Sequence, residues 1–248
     1  MNVKSAVLLS TLALAGAAFA QTKAPEPDFT LSYNAGLVTD YRYRGISQTR
    51  LKPAVQGGVD FAHKSGVYVG TWATNIKWIK DSGASDGNVE MDIYGGYKGS
   101  VGDVAYDVGF LRYEYVGNKL AKVPGFANAN TNELYGAVTV GAFTLKYSQS
   151  VSNLFGNINS KNSTYLDLSA TFDVGGGFSV TPHVGQQKVK NSPAYDYTDY
   201  SVTLAKDLGN GVTATLMLVD TDADKAAYTW GGKYVGKSGA VLGVKYSF

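Results

Sequence analysis

Residues 29–43 read FTLSYNAGLVTDYRY, and the alternation in this stretch decides the fold. Phe29, Leu31, Tyr33, Ala35, Leu37, Tyr41 and Tyr43 occupy odd positions, where Thr39 is the single polar residue. Thr30, Ser32, Asn34, Gly36, Asp40 and Arg42 occupy even positions, where Val38 is the exception. A period of two sends successive side chains to opposite faces, so the stretch reads as a strand with one apolar and one polar face. It is far longer than the five or six residues usual in a water-soluble domain. Tilted by about 45°, such a strand rises ~35 Å, enough to cross the ~25 Å apolar band of a barrel set in lipid.

The pattern recurs along the chain. Val55, Val59 and Phe61 alternate with Gln56 and Asp60; Val89, Met91, Ile93 and Tyr97 with Glu90, Asp92 and Lys98. Phe143, Leu145 and Tyr147 flank Lys146, and Leu166 and Leu168 flank Asp167. Leu242, Val244, Tyr246 and Phe248 alternate with Lys245 at the end of the sequence. Three stretches are less regular. Residues 67–76 leave the two faces unassigned. In 104–115 the apolar set jumps from even to odd positions between Phe110 and Leu111, which predicts a one-residue bulge. Pro182 weakens 178–187, because proline cannot donate to a ladder.

These segments make about twelve strands, and their connections alternate in length. Residues 63–66, 99–103, 141–142, 174–177 and 207–211 are short turns; 44–52, 77–88, 116–131, 151–162, 188–195 and 221–238 are long. Short turns on one side and long loops on the other are the habit of outer-membrane barrels. The fold expected for 29–248 is therefore an all-β, antiparallel, up-and-down transmembrane barrel. Phe29, Phe61, Tyr97, Phe143, Phe172, Phe178 and Phe248 gather on the short-turn side as an expected aromatic girdle.

Composition agrees. Among 248 residues there are 30 glycines, 18 tyrosines, no cysteine and a net charge of +2. The absence of cysteine excludes disulfides, thiolate metal sites and a cysteine nucleophile. The small net charge gives no case for a nucleic-acid partner. Residues 1–20 combine Lys4, an apolar run and Ala18-Phe19-Ala20, the form of a secretory signal peptide. Residues 21–28 read as a periplasmic lead-in.

Only a closed barrel satisfies every backbone group of a sheet in lipid, and its apolar face must then point outward. A soluble ligand-binding barrel would reverse the faces. The polar set mixes both charge signs at mid-strand: Asp40, Arg42, Arg44, Asp60, Glu90, Asp92, Lys98, Lys146, Asp167 and Lys245. That mixture suits a wet lumen, where charges tune selectivity. With twelve strands the backbone radius is roughly 12 Å, room for ions or small solutes unless loops fold inward, for which 116–131 is a candidate. Asp40, Arg42 and Arg44 allow two readings. One is a basic gate, for which Arg42→Glu would shift selectivity toward cations. The other is an ion-pair network with Asp60 and its neighbours.

Val244, Tyr246 and Phe248 resemble the C-terminal assembly signal of bacterial outer-membrane barrels, which implies the barrel-assembly machinery as a partner. Residues 33–48 (YNAGLVTDYRYRGISQ) resemble the N-terminal signature of the TorF family of porins, the Gcw_chp type of proteobacteria. So do 53–60 (PAVQGGVD), 70–75 (GTWATN), 106–109 (YDVG) and 132–135 (NELY). The resemblance covers nearly the whole chain after residue 20. It implies an outer-membrane barrel with a porin role, in contact with lipid and lipopolysaccharide and passing small solutes or ions. It implies no established solute and no catalytic residue. A non-conducting structural or surface-interaction barrel is the alternative.

Nothing in the sequence assembles an enzyme or a cofactor site. His63 and His183 fall in distant segments, which gives a serine–histidine dyad little support. Asp220, Asp222 and Asp224 open like a calcium loop, but Lys225 stands where glycine is needed. Gly175-Gly176-Gly177 reads as a turn, since no helix follows it to cradle a phosphate.

Overall fold

The computed structural model describes residues 27–248. The expected signal peptide and all but the last two residues of the lead-in lie outside them. Twelve antiparallel strands follow one another: β1 Phe29–Val38, β2 Ala54–His63, β3 Val67–Asn75, β4 Val89–Val101, β5 Val104–Val116 and β6 Thr131–Val140. Then come β7 Phe143–Ser150, β8 Thr164–Ala170 continued by Phe172–Gly175, β9 Phe178–Lys188, β10 Tyr197–Gly209, β11 Val212–Thr221 and β12 Gly239–Ser247. Each strand pairs with its sequence neighbours, and β12 returns to β1, so the sheet closes into an up-and-down barrel. The seam is short: β1 matches β2 from Phe29↔His63 to Val38↔Ala54, but β12 only from Asn34↔Ser247 to Val38↔Gly243. Among the described residues no helix is long and apolar enough to cross a membrane.

The apolar face points outward. Leu37 is 56% exposed, Val55 66% and Leu242 57%, and the other apolar members of the alternating sets are similarly open. Such a surface is unstable in water and stable against acyl chains. Val67 and Val69 are outward and Tyr68 and Trp72 inward in β3, which settles the faces of 67–76. The girdle forms by cross-strand aromatic contacts: Phe29 stacks on Phe61 with ring centroids 5.5 Å apart and Tyr33 on Phe248 at 5.6 Å, while Phe143 meets Phe172 edge-on at 6.2 Å.

The expected bulge is absent. β5 pairs in unbroken register from Val89↔Val116 to Val101↔Val104, and equally with β6. Even positions stay outward throughout, so Arg112 and Glu114 point out and Leu111, Tyr113 and Tyr115 point in. What changes at Phe110 is the surroundings. Beyond it the outer face carries a hydrogen-bonded Arg112–Glu114 pair, and the inner face meets apolar loop residues rather than water. Pro182 stays within β9, and its cost falls on the neighbour. The ladder of β8 breaks at Thr171, beside Ala170, the residue that stands opposite the missing proline N–H.

The glycine and tyrosine excess has one structural cause inside the barrel. Tyr94 lies over Gly70, Tyr68 over Gly96 and Tyr135 over Gly109, each pair directly opposite across adjacent strands. A Cβ at Gly109 would stand 2.5 Å from the Tyr135 hydroxyl and 2.8 Å from the Gly95 carbonyl oxygen. The ring fills the space left by the absent side chain and shields the ladder. Gly109→Val is therefore expected to lower the folded fraction and the unfolding temperature, read as loss of the heat-shifted gel band. The turn at residues 175–177 needs glycine for another reason: all three have positive φ, at 86°, 61° and 75°.

Candidate functional site

The first long loop builds the site. β1 ends at Val38, five residues before the alternation does. The chain then turns into the barrel, where Arg42–Tyr43 and Ile46–Ser47 pair as a short hairpin. Tyr41 and Tyr43 therefore do not face lipid as their parity suggests; Tyr41 is buried and Tyr43 half-buried inside. Many hydrogen bonds hold the loop. Asp40 accepts from Arg42 Nε at 2.5 Å, Ser47 Oγ at 2.5 Å and Thr49 Oγ1 at 3.1 Å. Arg42 also donates to the carbonyls of Gly45 and Lys237, both at 2.9 Å. Ser47 N donates to Val235 O at 3.0 Å, and Lys77 N to Gln48 O at 2.8 Å. Arg50 is paired with Asp81.

Arg44 spans the interior at the tip of this hairpin. Its φ of 46° and that of Gly45, 77°, reverse the chain there. The guanidinium donates to Glu133 Oε2 at 2.8 Å on β6 and to Gln187 Oε1 at 2.8 Å on β9. It lies 4.2 Å from the centroid of the Tyr165 ring on β8 and 4.9 Å from that of Tyr43. Burial opposes its charge, but Glu133 more than compensates, so its pKa stands well above the ordinary guanidinium value. Glu133 is itself nearly inaccessible and accepts from the Tyr113 hydroxyl at 3.0 Å.

Above this plug, toward the long loops, the lumen is a packed apolar core. Trp78 and Ile79 of a short helix (Trp78–Asp81), Leu120 of a 3₁₀ turn (Leu120–Lys122), Tyr113, Tyr115 and Ile76 are buried there with Tyr41. The loop at 116–131 does fold inward through Leu120, but the loop after β1 reaches furthest. Below the plug lies a polar chamber of about 330 Å³, lined by Arg42, Arg44, Lys146, Tyr165, Asp167, His183 and Asp199 among others. His183 Nε2 is 2.8 Å from Asp167 Oδ2, and the Tyr165 hydroxyl donates to Asp199 Oδ2 at 2.9 Å. Lys146 sits 4.1 Å from the Tyr135 ring centroid.

The remaining residues of the expected set all lie on inward positions but do not form one cluster. Asp60 accepts from the Tyr94 hydroxyl at 2.6 Å and does not pair with Arg42 or Arg44, so the ion-pair partners are Asp40 and Glu133 instead. Glu90 accepts from the Tyr41 hydroxyl at 2.6 Å, and Asp92 Oδ1 is buried without a partner. Lys98 is 3.9 Å from Asp107, which also accepts from the Tyr68 hydroxyl at 2.6 Å. Lys245 faces inward on β12, opposite Gly36. Val244, Tyr246 and Phe248 face outward at the seam. Glu133, Gln187, Asp199 and Asp107 lie outside the expected set, although the period-two parity of their strands places each inside. The acidic run at 220–224 is taken up by backbone hydrogen bonds: Asp222 Oδ1 accepts from Thr198 N of β10 at 2.6 Å, and Asp224 Oδ1 caps a turn by accepting from Ala227 N at 2.9 Å.

An outward apolar belt, an inward polar wall and a constricting first loop define a transmembrane β-barrel of porin architecture. The chain belongs to the Gcw_chp family, described as bacterial proteins of unknown function, whose model matches residues 22–248. No curated protein matches it. Among solved structures it is similar to the KdgM porin in complex with disordered oligogalacturonate. The TM-score there is 0.54 at 9% identity, over 88% of this chain and 98% of that one. Similarity to the NanC porin gives 0.55 at 10% identity, over 88% and 99%. At these identities the likeness is one of fold.

Proposed function

We propose that the protein is an outer-membrane porin of Gram-negative bacteria, as its TorF resemblance implies, passing small solutes or ions with weak selectivity. The observation that carries this reading is the polar chamber inside the barrel, walled by charges of both signs and roofed by the first loop beneath the packed loop core. Export by the N-terminal signal, insertion by the assembly machinery and contact with lipopolysaccharide follow from the same reading. Mixed charge around Lys146, Asp167 and Asp199 favours neither sign strongly. Arg42 is only 3% exposed and bound within its loop, so Arg42→Glu is expected to disturb the loop before it alters selectivity. Swelling of proteoliposomes in solutes of graded size tests the reading: uptake of the smallest and exclusion above a cutoff is expected. A second reading, a non-conducting barrel, is favoured by the apolar core above Arg44. It is supported if swelling is nil at every size.

A further inference from the structure

Strand register orders the polar chamber beneath the plug. Lys146 of β7 stands opposite Asp167 of β8, Asp167 opposite Gly185 of β9, and Gly185 opposite Asp199 of β10, so the four share one rung of the inner wall. Lys146 and Asp199 are three strand spacings apart, about 14 Å along a concave wall that turns their side chains toward one another. Both line the chamber.

The protein's own hydrogen bonds leave both ends of this rung incomplete. The guanidinium groups of Arg42 and Arg44 are engaged by Asp40 and Glu133. Lys146 lies 4.1 Å from the Tyr135 ring centroid instead of pairing with Asp167, whose Oδ2 faces His183 Nε2 at 2.8 Å. Asp199 Oδ2 accepts from the Tyr165 hydroxyl, but Asp199 Oδ1 is 3.6 Å from His183 Nδ1, beyond hydrogen-bond reach. Asp199 is only 2% exposed. Among the described residues, the Lys146 ammonium and the hydroxyls of Ser148 and Ser201 are thus donors facing the chamber without a protein acceptor, and Oδ1 of Asp167 and of Asp199 are acceptors without a donor.

We propose that the chamber is a binding subsite for a zwitterionic α-amino acid with a neutral side chain. Its carboxylate is held by Lys146 and Ser148, and its ammonium by Asp199 and Asp167. A solute with one charge satisfies one end of the rung and takes water from the other without replacing it, which disfavours it. Leu111, Met217 and Val219 also line the chamber and suit an apolar side chain. The chamber's volume of about 330 Å³ lies at the lower end of the ~300–1,000 Å³ of small-molecule sites. The inference rests on the porin reading, since it names the class of solute held in that same chamber.

The test is saturation-transfer NMR of the refolded protein in a non-ionic detergent, titrated separately with L-valine, isovalerate and isobutylamine. The last two keep the valine side chain but lack its ammonium and its carboxylate respectively. Valine is expected to bind at least tenfold more tightly than either. Lys146→Met should bring valine down to the level of isobutylamine, and Asp199→Asn should bring it toward that of isovalerate, with the heat-shifted band retained in both. No saturable signal from valine, equal binding of all three, or an undiminished preference for valine in both folded variants overturns the proposal. A barrel that conducts but does not prefer valine overturns this inference alone; one that prefers valine but never conducts overturns the porin reading alone.

Discussion

Replacing residues 40–52 with a two-residue Asn-Gly turn is expected to raise single-channel conductance several-fold. The substitution is geometrically open because Val38 and Ala54 are register partners at the end of the β1–β2 ladder. A tight hairpin can join them without touching the wall. What is removed is the segment that carries Arg44 across the interior to Glu133 and Gln187. The chamber below would then lose the plug that roofs it, and the loop core packed on Tyr41 and Tyr43 would loosen above it. Loss of Tyr41 and Tyr43 also removes two rings from the loop core, so some fall in stability is expected beside the gain in conductance. Unchanged conductance in a folded variant would place the narrowest point elsewhere.

The second large effect is expected at Arg44 itself. Arg44→Glu sets a carboxylate against Glu133 at a site where the two side chains are 6% and 3% exposed. Breaking a buried pair in this way costs about 3–5 kcal/mol, because the charge left behind has neither water nor a partner. Denaturant unfolding in lipid vesicles should show that loss. Arg44→Lys should cost less but not nothing, since an ammonium cannot hold Glu133 and Gln187 at once while stacking on Tyr165. The double variant Arg44→Glu with Glu133→Arg should recover part of the loss. A single-variant cost below ~1 kcal/mol, the range of exposed pairs, would show that the latch is solvated.

The barrel wall was legible in the sequence because one rule governs it. Lipid on one side and polar groups on the other impose a period of two, which Leu31, Leu37, Val55 and Ile93 display without interruption. The rule fails where the lipid ends. Tyr41 and Tyr43 keep the right parity by coincidence, but the chain has already turned inward, and the left-handed backbone of Arg44 and Gly45 marks the reversal. At Leu111 the faces exchange character because the strand has left the apolar belt, which on a one-dimensional reading resembles a bulge. The loop core was the least legible part. Its signal was present as Trp78-Ile79, Leu154-Phe155 and Tyr228-Trp230, apolar residues too large for solvated loops, yet only tertiary packing shows that they meet on the barrel axis.

The most direct test of the central claim is single-channel recording of the purified, heat-shifted protein in a planar lipid bilayer. Small, ohmic conductance steps with a reversal potential near zero in a salt gradient are expected of a narrow, mixed-charge, weakly selective pore. A protein that inserts as a folded barrel and passes no current at any voltage would contradict the porin account.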